Sequence, residues 1–290
     1  MKFVDIKNDV AFRKIFGNDK KSAPLISFLN AALELEGDKR VVNVNLANPN
    51  LFPRIAGEKA SILDVRATDQ AGRKFVVEMQ VAEKNGFDKR VQYYVSRDYS
   101  MQINRGEDYP LLNPAYFIGI LDFPFSQSEH YHTRHLILDK TSNEHLLKDI
   151  EFSFIELPKF NLETNELVTP IDKWTYFIKH AEELTFIPEY ANDDSGLKEA
   201  FIEADKHNWS KEDLIAYDNF SIWEGDQRQE LAAALEKGER KGREKGRDEK
   251  ETELITEMNQ QGFTADQIAR VTKKSEEEVI QILDIISNKQ

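Results

Sequence analysis

The sequence contains no cysteine, which excludes disulfide bonds, thiolate-bound zinc and a cysteine nucleophile. It has no apolar run approaching the ~18 residues that a membrane-spanning helix needs. Its first residues, from Met1 to Asp5, lack the apolar stretch and the small-residue cleavage site of a secretion signal. These absences predict a cytoplasmic protein with no membrane partner.

The charge of the chain is strongly negative and unevenly distributed. The 290 residues carry a formal net charge of −13, and 40% of them are hydrophobic, which is enough for a sizeable core and argues against global disorder. Residues 1–125 hold 18 basic and 16 acidic side chains, whereas the remaining 165 residues hold 21 and 36. Such acidity argues against nonspecific coating of nucleic acid, which depends on Lys and Arg. The nearly neutral N-terminal part leaves a nucleic-acid partner open.

Residues 1–125 alternate between helical and extended patterns, and they predict an α/β core. The order helix, three strands, helix, strand predicts a mixed sheet covered by helices. The predicted segments are helices at 8–16 and 22–35, a strand at 42–46, a hairpin of 61–68 and 74–81, a helix from 87 to a C-cap at Gly106, and a buried strand at 115–123.

The rest of the chain changes character twice. Residues 126–225 predict an α/β elaboration of the core, with a strand at 151–157 and helices at 174–184 and 197–206. Residues 226–260 combine charged helix formers with glycine at 238, 242 and 246, and they predict a charged helical linker.

Residues 261–290 predict a small helix-turn-helix-like tail. Each of its two short helices begins with a capping-box pattern, Thr264 with Gln267 and Ser275 with Glu278. A helix that reads DNA should be basic towards it, yet the second helix begins with acidic residues at 276–278. The tail is therefore expected to contact protein, or to support oligomerisation, rather than to read bases.

Two carboxylates are predicted to meet in the hairpin. If its turn is centred on Ala71, cross-strand partners have numbers that add to 142, and Asp64 stands opposite Glu78 with Cβ atoms about 5 Å apart. Gln80 faces the same way, because strand side chains alternate between faces. Two carboxylates this close on a largely apolar sheet repel each other. One must then be protonated, or both must hold a cation.

Mg²⁺ or another hard divalent cation suits such a pair, since Mg²⁺ is typically held by one or two carboxylates together with phosphate and water. The ion would lower the pKa of a bound water and stabilise charge on phosphate. Gln80 would orient that water or a phosphate oxygen, but it supplies no positive charge. The alternative is an ordinary solvent-facing acidic strand, and the apolar neighbours Ile62 and Val76 on the same face argue against it.

A second possible metal site, the histidines at 130, 132 and 135, has a looser spacing. Histidines spaced in this way are more typical of a surface strand or loop than of a ligand set.

Several motifs resemble those of one nuclease family. Asp64 followed by Glu78-x-Gln80 resembles the metal site of the PD-(D/E)xK nuclease superfamily, with Gln in place of the usual Lys. Over about residues 1–180, the chain resembles the Rpn family, recombination-promoting nucleases also called PD-(D/E)xK family transposases. The motifs are NDVAFRKIFG, LISFLNAAL, ILDVRATDQAGRKFVVEMQ, Arg90 with Tyr93-Tyr94, Gly106, Tyr109, and FIELPKF ahead of Trp174.

The resemblance implies a restriction-endonuclease-like core with a C-terminal helical extension, and a Mg²⁺-dependent DNA endonuclease involved in recombination. By position, Asp64 and Glu78 would be metal ligands and Gln80 would occupy the usual lysine position. Asp9 would match an extra acidic residue near the metal. Asp9 could equally be a helix-start residue favoured by the helix dipole.

The same resemblance places Arg90 and Tyr94 on the helix after the hairpin, where they could contact phosphate. They could also form a packing pair between helix and sheet. Arg90 is the candidate to replace the charge of the missing lysine. Arg13 stands where the family often has Lys.

Two functional hypotheses follow. The first is a metal-dependent phosphodiesterase that cuts DNA, in which water activated at Asp64 and Glu78 attacks phosphorus and the 3′-oxygen leaves. The second is a nuclease-fold DNA-binding or assembly module with little turnover, motivated by the missing lysine, the acidity and the helical tail. A homodimer is expected in the first case, because a duplex has two strands.

Overall fold

A computed structural model describes residues 1–47 and 64–287 of the chain. The strands are β1 (Val44–Leu46), β2 (Val65–Asp69), β3 (Lys74–Gln80), β4 (Ala115–Leu121), β5 (His132–Ile137) and β6 (Leu147–Glu156). The helices are α1 (Asp9–Phe16), α2 (Ala23–Ala32), α3 (Phe87–Ser100), α4 (Pro170–His180), α5 (Ser195–Ala204), α6 (Lys211–Gln260), α7 (Ala265–Thr272) and α8 (Glu276–Ser287). Within these described ranges, no helix has the length and apolar character needed to cross a bilayer.

The chain divides into two compact units, Met1–Ser221 and Ile222–Gln290. The finer division at residues 125, 225 and 260 stays a prediction. In the first unit, β5 and β6 extend the same sheet that β1–β4 begin. The segment 126–225 thus contributes strands to the core sheet.

The six strands form one mixed sheet in the order β1-β2-β3-β4-β6-β5. β3, β4 and β6 run parallel, and β1, β2 and β5 pair antiparallel with their neighbours. A parallel connection needs a crossover, and α3 supplies it between β3 and β4. The predicted order of helix, three strands, helix and strand is confirmed.

The hairpin has the predicted register. Val65 pairs with Val77, Arg66 with Val76, and Ala67 with Phe75, so each pair adds to 142. The turn is held by Asp69, whose Oδ1 accepts the backbone N–H groups of Ala71 and Arg73 at 3.0 and 2.9 Å. Predicted hairpin residues 61–63 lie outside the described residues.

The two faces of β3 pack against different helices. Phe75, Val77 and Met79 are buried in the main core with residues of α1, α2, α4 and α5. Val76 lies on the other face, in a second cluster with apolar residues of α3. Glu78 and Gln80 share the face of Val76, because strand side chains alternate.

Some predicted boundaries are wrong. The helix after the hairpin ends at Ser100 with Met101 as its C-cap, and Gly106 lies in the following loop with a φ of +95°. A left-handed glycine therefore marks a loop conformation here rather than the helix end. The predicted charged linker, residues 226–260, is helical and lies within α6, which begins at Lys211.

In the second unit, both predicted capping boxes are present. The Thr264 hydroxyl accepts from Gln267 N, and the Gln267 side chain accepts from Thr264 N. Ser275 and Glu278 exchange the same pair of bonds. The apolar faces of α7 and α8 pack with the end of α6 in a small cluster containing Ile255, Ile268, Ala269 and Val279.

Candidate active site

The two predicted carboxylates meet in the structure. Asp64 directly precedes β2, and continuing the hairpin register by one residue places it opposite Glu78 on β3. The Asp64 Oδ2 atom accepts the backbone N–H of Met79 at 2.7 Å, which ties it to the residue after Glu78. Only 11% of the Asp64 side chain and 4% of the Glu78 side chain are exposed.

Helix α1 brings a third acidic residue to this pair. Its N-cap Asn8 accepts the backbone N–H groups of Val10 and Ala11, so the helix begins at Asp9. Arg13 lies one turn later, with its Nε 3.0 Å from Asp9 Oδ1 and its Nη2 3.3 Å from Asp64 Oδ1. The predicted proximity of Asp9 to the carboxylate pair is therefore present in the structure.

Asp64 and Glu78 sit in an environment that disfavours negative charge. Burial raises the pKa of Asp64 well above its usual range, and repulsion by Asp9 adds to this effect, while the Met79 bond and Arg13 oppose it. Burial raises the pKa of Glu78 to about 8, with repulsion by Asp64 as the next cause and partial compensation by Arg90 and Lys84. A largely buried pair of acids with too little compensating charge favours a cation.

Gln80 and Arg90 are paired beside Glu78. The Arg90 Nη2 atom donates to Gln80 Oε1 at 2.8 Å and lies 3.9 Å from Glu78 Oε2. The Gln80 Nε2 atom donates to the same Glu78 oxygen at 3.4 Å. The guanidinium also lies over the Phe87 ring, 5.2 Å from its centroid, which holds it near the site. Arg90 thus brings a positive charge from α3 to the carboxylates at the end of β3.

Arg66 shares the face of the carboxylates but does not neutralise them. Its guanidinium forms a buried ion pair with Asp98 on α3. Because Asp98 already neutralises Arg66, the cations that lower the pKa values of Asp64 and Glu78 are Arg13, Arg90 and, with a smaller effect, Lys84.

The structure also places the predicted phosphate contact Tyr94 and the three histidines at 130, 132 and 135. The Tyr94 ring is 4% exposed and lies in the apolar cluster between α3 and the sheet, as the packing alternative expects, and its contact with phosphate stays a prediction. His132 lies on edge strand β5 and its Nε2 is within 3.0–3.1 Å of Ser153 Oγ and Ala32 O. His130 and His135 do not join it in a ligand set, since in the described part of the chain no three acidic or histidine side chains form a ready-made metal cage.

The donors nevertheless fit a hard divalent cation. Mg²⁺ commonly takes one or two protein carboxylates and completes its coordination with water and phosphate, so a three-residue cage is not required. Asp64 and Glu78 supply that pair, with Asp9 alongside, and the Gln80 amide adds a neutral oxygen. These are oxygen donors, and the described site contains no histidine or thiolate that would favour a softer metal.

Sequence reasoning missed the contributions of Arg13 and Lys84 to the site, and also the Lys7–Asp122 pair beside it. The family pattern gives Arg13 no role in the site, although its spacing of four residues from Asp9 on a helix is a signal for an ion pair. Lys7 lies near the C-terminal end of β4, with its Nζ 3.4 Å from Asp122 Oδ2. The Asp122 N–H donates to Gln80 O at 2.9 Å. No local pattern links residues 7 and 122, so only the fold identifies this pair.

The mixed sheet, the covering helices and the buried acids near the end of a central strand together define a nuclease-like α/β protein. The chain belongs to the PD-(D/E)XK nuclease family transposases, whose family model matches residues 6–234. This match confirms the resemblance and the restriction-endonuclease-like fold class, and it supports a nuclease- or transposase-type function. The match ends before α7 and α8. Curated proteins and solved structures contain no match to the chain.

Proposed function

We propose that this protein is a DNA endonuclease that requires Mg²⁺ or another hard divalent cation and acts in recombination. One observation carries the proposal: Asp64 and Glu78 lie opposite each other on one face of the hairpin, both buried, with Asp9 beside them. Its family supports the choice of a phosphodiester substrate.

Each residue has a distinct role in this mechanism. Asp64 and Glu78 would hold the ion, which when bound supplies a water of lowered pKa and stabilises charge on phosphate. The Met79 N–H and Arg13 fix the orientation of Asp64. Arg90 replaces the missing lysine by presenting its charge beside Gln80, where a phosphate oxygen would gain negative charge. Gln80 orients the attacking water or that oxygen.

Plasmid cleavage tests this function. We expect nicking with Mg²⁺, none with EDTA, and at least about a 10³-fold loss in Asp64→Ala and Glu78→Gln. Glu144→Gln is the matched control, because Glu144 is an exposed acid in the β5–β6 loop. Titration with Mn²⁺ by calorimetry should show binding to the wild type and to Glu144→Gln but not to Asp64→Ala. Cleavage that persists in Asp64→Ala, or absence of cleavage in the wild type, would contradict the proposal.

A second function is favoured by Gln80, which leaves the usual lysine position without its own charge. In that case the protein would be a nuclease-fold DNA-binding or assembly module with little turnover. It would bind duplex DNA and a divalent cation tightly without cutting. Robust nicking that depends on Asp64 would reject this alternative.

We also expect a homodimer in the cytoplasm. A duplex has two strands to cut, and two copies of one site provide two cuts. Light scattering of the wild-type protein, alone and with a DNA duplex, measures the oligomeric state directly. A monomer under both conditions would contradict the dimer.

A further inference from the structure

The solvent-exposed side of α3 differs in charge from the rest of this acidic protein. Its exposed or half-exposed residues include three basic side chains, Lys89, Arg90 and Arg97, and one acidic side chain, Asp88. Asp88 is exposed in the first turn, about 100° around the helix from Lys89 and on the side away from Arg90, and Asp98 is buried against Arg66. The remaining exposed positions are polar or aromatic, namely Gln92, Tyr93, Ser96 and Ser100.

The spacing aligns the larger side chains along the helix. Lys89, Tyr93 and Arg97 are four residues apart, so they follow one another on one side of α3. We call Lys89, Arg90, Tyr93 and Arg97 the α3 basic face. All three residue types, Lys, Arg and Tyr, are common partners of phosphate and sugar in DNA complexes, as are the neighbouring Ser and Gln side chains.

Tyr93 and Arg97 are arranged to meet an anion together. The Arg97 Nη1 atom donates to Tyr93 Oη at 2.6 Å, and the guanidinium lies 5.9 Å from the centroid of the ring. Since the hydroxyl oxygen accepts this bond, the Tyr93 O–H remains a donor. Phosphate oxygens only accept, so they match a tyrosine donor beside an arginine. Half of the Tyr93 side chain is exposed and therefore within reach of a partner.

The α3 basic face is continuous with the candidate active site. Arg90 belongs to both, because its guanidinium holds Gln80 beside Glu78. From Arg90 to Arg97 the helix rises about 10 Å, which corresponds to about three base-pair steps of B-DNA. A backbone lying on α3 would therefore lead directly to the carboxylates.

We infer that the α3 basic face binds the phosphate backbone of duplex DNA and guides one strand to the carboxylate site. The inference rests on the proposed function, and it adds a surface whose contribution is measurable without cleavage. Sequence reasoning selected Tyr94 for phosphate contact, whereas the structure exposes its neighbour Tyr93 and buries Tyr94.

Binding of a short fluorescent DNA duplex in EDTA tests the inference, because no cleavage is required. The double variant Lys89→Glu/Arg97→Glu is compared with Lys140→Glu/Lys148→Glu, which makes the same change in charge at exposed positions in and beside the β5–β6 hairpin. We expect the α3 variant to bind at least about tenfold more weakly than the control. We also expect its slope of log affinity against log salt to be shallower by about 2, one unit for each lost phosphate contact.

A third variant, Tyr93→Phe, keeps the ring and removes the hydroxyl, and it is expected to weaken binding about fivefold. Equal affinity and equal salt slope in the two double variants, or a wild type that binds no duplex, would overturn the inference. Unchanged binding by Tyr93→Phe would refute the hydroxyl contact.

Failure of the α3 basic face in the binding test can be distinguished from failure of the proposed active site in the cleavage test. Cleavage that persists in Asp64→Ala rejects the proposed active site and leaves the binding comparison intact. Cleavage that depends on Asp64, together with normal binding by Lys89→Glu/Arg97→Glu, rejects the α3 basic face alone.

Discussion

The Arg90 guanidinium donates to the side-chain oxygen of Gln80 at 2.8 Å, so a cation from α3 stands next to the strand position that is predicted to correspond to the family's lysine. The cation also lies 3.9 Å from Glu78. A charge absent from the strand is thus present in the site, supplied from the neighbouring helix.

Removing this charge is expected to slow cleavage without abolishing DNA binding. Arg90→Gln should lower the cleavage rate about 10²-fold, because a positive group facing the developing phosphate charge is lost. Arg105→Gln, at an exposed arginine in the loop after α3, should cleave like the wild type. The measurement is the single-turnover nicking rate with Mg²⁺. Equal rates in the two variants would show that Arg90 does not perform the role of the lysine.

Restoring a strand lysine is expected to have the opposite effect. In Gln80→Lys an ammonium would stand beside Glu78, and the nicking rate should rise about tenfold if charge limits turnover. The double variant Gln80→Lys/Arg90→Gln should recover most of the rate lost in Arg90→Gln. Absence of any recovery would contradict the idea that these two positions share one electrostatic function.

When no ion is bound, repulsion among the carboxylates of Asp64, Glu78 and Asp9 should lower the free energy of unfolding. Asp64→Asn keeps an oxygen that can accept the Met79 N–H but removes one buried charge beside Glu78 and Asp9. In EDTA we expect this variant to be more stable than the wild type by about 1 kcal/mol. Adding Mg²⁺ should stabilise the wild type and leave Asp64→Asn unchanged. Urea unfolding measures both effects, and a less stable variant in EDTA would contradict the reasoning.

His132 should make the stability of the first unit sensitive to acid. Burial lowers its pKa below the unfolded value, so the fold favours the neutral ring. The resulting stabilisation is complete above the unfolded pKa, about 6.5, and is lost as the pH falls through the lower folded pKa. His132→Gln should therefore lose less free energy of unfolding between about pH 7 and pH 5. His130→Gln changes an exposed histidine nearby and should follow the wild type; parallel curves for all three proteins would refute the prediction.

The tail is expected to support oligomerisation. Val271 and Ile280 are 59% and 45% exposed on α7 and α8, so both apolar side chains are accessible to a second copy of the chain. Val271→Asp/Ile280→Asp should lower the oligomeric state measured by light scattering while keeping the helical circular dichroism. Gln281→Asp, at an exposed polar position of α8, is the control. An unchanged mass in the double variant would exclude these residues from the interface.

The sequence predicted local features more accurately than the ends of elements. The register of the β2–β3 hairpin follows from a short turn and from alternation, both of which act over a few residues, and it matches the structure. The capping boxes at Thr264 and Ser275 match for the same reason. The end of α3 was missed because glycine favours a left-handed backbone in loops as well as at helix ends, and Gly106 is in a loop.

The sequence alone therefore determined which residues of the hairpin face one another, including Asp64 and Glu78. The reason is that strand periodicity and turn length depend only on residues that are adjacent in the chain. The tertiary structure decided what surrounds that pair: Asp9 and Arg13 from α1 on one side, and Arg90 from α3 on the other. It also decided that Tyr94 faces inward and Tyr93 outward. These contacts depend on how helices pack against the two faces of the sheet, and packing is set by the whole core rather than by neighbouring residues.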